Sequence, residues 1–106
     1  MKKKSDSVGT ITSAEPRIRR VRSNSSALTV DFEDGRTLQV PLVWFPRLFH
    51  ATQAQRSRWE LIGPGIGVHW PDVDEDLSAE GLLAGRPSIE YVRQLRKKNK
   101  DQEVPA

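Results

Sequence analysis

The run HWPDVDEDL, residues 69–77, gathers an imidazole, an indole and four carboxylates in one short stretch. Histidine beside carboxylates suits general acid–base chemistry near neutral pH, with Asp72 or Asp74 placed to orient His69. No serine sits in an activating context and the chain has no cysteine, so a base of this kind lacks a nucleophile to serve. His69 also alternates with Val68 and Trp70, which turns it to the solvent side of a strand. Asp72, Asp74 and Asp76, spaced by two, resemble the start of a calcium-binding loop. The sixth and twelfth positions of that loop need Gly and Glu, and here they are Leu77 and Leu83. We therefore expect neither a metal nor a cofactor. The expectation is a protein-docking rim made of His69, Trp70, Asp72, Asp74, Glu75 and Asp76, with some of the acids capping a helix.

A second candidate lies near the C-terminus. In SIEYVRQLRKKNK, residues 88–100, Ile89, Val92 and Leu95 form a narrow apolar stripe on a helix. Arg93, Lys97 and Lys100 share another face, Arg96 pairs with Lys100, and Lys98 adds to the charge. Such a helix can track a phosphate backbone electrostatically without touching bases, so the alternative is a nucleic-acid-binding regulator that uses this helix and the basic N-terminal arm. GPGIG at 63–67 has the glycines of a phosphate-binding turn, but no helix follows it, which leaves a hairpin turn. Trp44, Trp59 and Trp70 sit beside apolar neighbours and read as core or interface bulk rather than base-stacking platforms. His50 does not complete a metal triad of suitable spacing.

Charge is unevenly distributed. Residues 1–22 carry seven Lys/Arg against Asp6 and Glu15, residues 23–85 carry four Arg against nine acids, and residues 86–106 carry six basic residues against three acids. The net +3 thus hides an acidic centre between basic ends. The chain of 106 residues suits one core. Without cysteine, that core must hold by apolar packing alone. A secretory leader needs an apolar run of about 7 to 15 residues, and a membrane span about 20. Neither is found, so a cytoplasmic chain with no membrane contact is expected.

The elements that position these groups follow from local signals. Residues 1–15 are too polar to offset ordering and read as a flexible basic arm. Ile18 and Val21, spaced by three, imply an edge strand with a bulge, guarded by its arginines. ALTVDFEDGRTLQVPL, residues 27–42, alternates on both sides of Asp34-Gly35 and reads as a hairpin. Pro46 opens a short helix, and Thr52 with Gln55 forms a capping box for the next. WELIGPGIGVHW, residues 59–70, is a second hairpin around Gly63-Pro64-Gly65. DLSAEGLLAGRP, residues 76–87, gives a short helix capped by Asp76 or Ser78, and Ser88 caps the last helix. The predicted class is α+β: a small antiparallel sheet built from two hairpins plus an edge strand, with short helices packed on it and a basic C-terminal helix. The expected division is an arm over 1–15, a single domain over 16–86, and an amphipathic helix with a frayed tail over 87–106.

ALTVDFEDGRTLQVPL, WFPRL, the Ala51, Thr52 and Arg56 of AT-x-x-x-R, WELIG and VHWPDVDEDLSAEGLLAG occur in that order. Together, over about residues 17–86, they resemble a family of small bacterial proteins catalogued as domain of unknown function 2442. Many members carry a WPNGADL-like segment where this chain has WPDVDEDL, which marks it as an acidic variant. The resemblance implies a compact α+β fold and a non-enzymatic binding or regulatory module. Some relatives are fused to a helix-turn-helix domain, and some are encoded beside a second small protein as in toxin and antitoxin pairs. No catalytic residues carry over. The implied role is docking a protein partner, as an antitoxin-like or regulatory adaptor.

Overall fold

A computed structural model describes residues 15–102, with side chains described through Lys98. The expected arm thus falls almost entirely outside the described residues, as does the tail from 103. The chain forms β1 (Ile18–Ser23), β2 (Ala27–Phe32), β3 (Thr37–Pro41), a 3-10 turn (Leu42–Trp44), α1 (Pro46–Phe49) and α2 (Gln53–Ser57). There follow β4 (Glu60–Ile62), β5 (Gly67–Trp70), β6 (Glu75–Ser78), α3 (Ala79–Leu83) and α4 (Ile89–Gln102). The class is α+β. The strands divide into two antiparallel three-stranded sheets, β1-β2-β3 and β4-β5-β6.

The first sheet is built as its sequence dictates. Leu28, Val30 and Phe32 of β2 face inward and are buried, and Gly35 adopts the positive φ of 96° that closes the hairpin to β3. The register between β1 and β2 shifts between Ile18 and Arg20, which is the expected bulge. That extra residue lets Ile18 and Val21, three apart, both reach the core. On the outer face, Asp31 accepts hydrogen bonds from Arg20 Nε (3.0 Å), Arg22 Nη2 (3.0 Å) and Thr37 Oγ1 (2.8 Å). Thr37 and the two guanidiniums hold its pKa down to about 2.

The helices begin where their caps place them. Pro46 is the first residue of α1. Thr52 Oγ1 accepts from Gln55 N (3.1 Å) while Thr52 N donates to Gln55 Oε1 (2.9 Å), a complete capping box. Of the two caps expected for α3, Ser78 is the one used, accepting from Gly81 N at 2.9 Å. Asp76 instead lies inside β6, a strand absent from the reading of the sequence.

Residues of both sheets, α1 and α3 merge into one core, centred on Trp70, Phe32, Phe45, Leu48 and Val68. Trp44 and Trp59 pack against its edge. The sheets are joined where the second hairpin's turn meets β1: Ile18 N donates to Gly65 O at 2.7 Å. Ile66 lies in this turn, and although it alternates with Val68 and Trp70 in the sequence it is exposed rather than part of the core.

Gly65 is doubly constrained. Its φ is 106°, and a Cβ there would stand 2.5 Å from Ile18 O. Either condition alone disfavours a side chain. Gly65→Ala is therefore expected to destabilise the fold by more than about 1 kcal/mol. Gly35→Ala is strained at φ only, since nothing lies within 4 Å of its Cβ position, and should cost less. Urea midpoints of the two variants against the parent decide this; equal midpoints would remove the packing argument.

Candidate docking face on the second sheet

Cross-strand register assembles the candidate site. β5 pairs with β6 so that His69 stands opposite Asp76, and with β4 so that His69 stands opposite Glu60. Val68, Trp70, Glu75 and Leu77 point inward from the same strands, which leaves Glu60, His69 and Asp76 in one row on the outer face. His69 is partly exposed, as its alternation implied. The carboxylate that holds it is Asp76, bonded to Nδ1, rather than Asp72 or Asp74. This contact outweighs the opposing effect of burial, and Glu60 and Asp74 reinforce it, so the imidazole pKa is raised above 6.5.

The rest of the expected rim disperses. Trp70 is fully buried, and its Nε1 donates to Arg56 O at 3.0 Å, so it cannot meet a partner. Glu75 is 9% exposed and faces inward. Asp72 pairs with Arg58 Nε at 2.6 Å. Asp74 forms the tip of the β5–β6 turn with a φ of 52°, a left-handed conformation that aspartate tolerates better than most side chains. Its carbonyl accepts from Arg47 Nη1 at 2.8 Å. The three aspartates thus have separate engagements, and among the described residues no group of His, Asp and Glu is arranged to hold a metal ion.

Glu60 is not among the residues the sequence pointed to, because only the β4–β5 register brings it beside His69. On the basic helix, Arg93, Arg96, Lys97 and Lys98 are exposed as expected, while the side chain of Lys100 lies outside the described ones. The stripe above them is uncovered, with Ile89 68% and Leu95 41% exposed.

Against this geometry, a family model described as "Protein of unknown function (DUF2442)" matches residues 18–88. The chain belongs to this family. The match ends where α4 begins, so the basic helix lies outside the shared domain. The chain is similar to a protein of unknown function from Rhodospirillum rubrum at 36% identity, with a TM-score of 0.62, over 71% of this chain and 93% of that one. It is also similar to an uncharacterized protein from Chromobacterium violaceum at 27% identity, with a TM-score of 0.61, over 74% of each chain. No curated protein matches.

The pairing of His69 with Asp76 has a measurable consequence. Because the folded pKa is raised, the stabilisation by the pair is fully present below the unfolded value of 6.5 and disappears as pH rises through the folded one. Titration of the His69 ring by NMR should therefore give a midpoint above 6.5 in the parent and a lower one in Asp76→Asn. Equal midpoints would mean that the pair does not form in solution.

Proposed function

We propose that this protein is a non-enzymatic module that docks a basic protein partner through the outer face of β4, β5 and β6. The carrying observation is the Glu60–His69–Asp76 row, which is exposed on the outer sheet face among the described residues and has no serine or cysteine in it. The acidic balance of residues 23–85 supports a partner of opposite charge, since complementary charge steers association. An antitoxin-like or regulatory adaptor role, in the cytoplasm, fits such a module. His69 gives the face a pH response: when its imidazole is neutral, the acids on either side are less compensated, and a basic partner is held more tightly.

The test is affinity capture with tagged chain at moderate salt, followed by comparison with the Glu60→Lys/Asp76→Lys variant. A stoichiometric partner held by the parent is expected to bind the variant at least about tenfold more weakly, or about 1.4 kcal/mol, with circular dichroism unchanged. Undiminished binding by the folded variant would exclude this face.

A second reading has its own observation: α4 presents Arg93, Arg96, Lys97 and Lys98 to solvent beyond the family domain. If it contacts nucleic acid through phosphates, affinity falls with salt at a log–log slope of roughly 0.9 per phosphate contacted on duplex DNA. Arg93→Glu with Lys97→Glu should then lower both affinity and slope. Salt-independent binding, or none, would remove this reading.

A further inference from the structure

Two features of the fold remain without a partner, and they share one cleft. The first is Glu75. Alternation along β6 sends Asp76 outward to His69 and Glu75 inward, where it is 9% exposed. Among the described residues, no hydrogen bond or ion pair reaches its carboxylate. Its oxygens are not sealed in the interior but open into a cleft, and a partly desolvated carboxylate in such a place is stabilised by a donor or a cation. Arg47, whose field acts on it, is engaged elsewhere: its Nε lies 2.9 Å from Glu90 Oε1 and its Nη1 donates to Asp74 O. The second feature is Ile89, which is 68% exposed at the start of α4.

Both line a cleft of about 380 Å³ bounded by α1, β6, α3 and the first turn of α4. Leu77 and Leu82 supply further apolar wall. A ligand that relieves both features has a flexible apolar stem and a positive end. We infer that this cleft binds an alkyl cation, a short methylene chain ending in guanidinium or ammonium, with its head on Glu75 and its stem along Leu77, Leu82 and Ile89. Three carboxylates and two guanidiniums line the cleft, so the balance opposes an anion. Asp76 faces His69, Glu90 holds Arg47, and Arg86 is exposed, which leaves Glu75 as the place for the positive head. Burial also raises the pKa of Glu75, so a cation placed beside it would favour its charged form. The cleft borders the docking row at Asp76, but its head position is Glu75, which that row does not use, so this inference goes beyond that reading and the Glu75→Gln test stands if that reading fails.

The experiment is a ¹⁵N–¹H NMR titration of the full chain with agmatine, with N-acetyl-arginine-N-methylamide, and with neutral pentylurea as control. Saturable shifts at Glu75, Leu77, Leu82 and Ile89 are expected with a cation and not with the urea. Binding of both cations identifies the ligand as a side chain carried on a polypeptide; binding of agmatine alone identifies a free amine. Glu75→Gln, with its spectrum otherwise preserved, should bind at least about tenfold more weakly. A measurement that needs no variant is the Glu75 carboxyl titration, which should move to lower pH when agmatine is present. Absence of saturable shifts with either cation, unchanged affinity in Glu75→Gln, or an unmoved Glu75 titration would each overturn the inference.

Discussion

Arg56 is the point through which the helical layer and the second sheet are joined. Its guanidinium is buried and donates to Leu48 O (3.1 Å), Ala51 O (2.6 Å) and Gln53 Oε1 (3.0 Å), so it ties the end of α1, the segment after it and α2 together. Its own carbonyl takes the Trp70 indole N–H. Arginine is rarely buried without a carboxylate, and here neutral acceptors take that role. The consequence is mechanical: α1, α2 and β5 are held in one geometry by a single residue, and Trp70 is fixed at the centre of the core. Because β5 also carries His69, the outer face of the second sheet inherits its position from the same knot.

Two small sheets share one core, and neither is large enough to bury its own inner face. β4 has three residues and β5 and β6 four each, so most of the second sheet's stability must come from apolar contacts with the first sheet and the helices. The bond between Ile18 and Gly65 fixes how the sheets meet. On the other side of the first sheet, Asp31 draws Arg20 and Arg22 of the edge strand over its central strand. Those arginines, expected from the sequence to guard the edge, clamp β1 to β2 through Asp31.

What was legible in the sequence was local. The Asp34-Gly35 turn, the Thr52–Gln55 box, the Ser78 and Ser88 caps and the bulge in β1 each depend on residues within a few positions of one another. The strand β6 was not legible: EDLS has two acids and only one apolar residue, and it pairs with β5 only because the turn at Pro71–Asp74 folds it back. Reading Asp76 as a helix cap followed from the same omission. The partner of His69 was sought among the nearest acids in the chain, but cross-strand register, not proximity in sequence, selects Asp76 and Glu60. Trp70 belongs to the core by its alternation with His69, and the same alternation removes it from the docking rim.

The short strand β6 sets the chemistry of two surfaces at once. Glu75 and Asp76 are consecutive acids with opposite fates, one exposed and bonded to an imidazole, the other enclosed in the cleft beside α4. Side chains alternate with a period of two, so a one-residue slip of β6 against β5 would place Asp76 in the interior and remove the partner of His69. Leu77, buried between them and the α3 cap at Ser78, is what forbids that slip: it must face inward, and it lies opposite Val68. The His69 row and the cleft are therefore not independent additions to the fold. Both are consequences of where one apolar side chain in a four-residue strand finds the core.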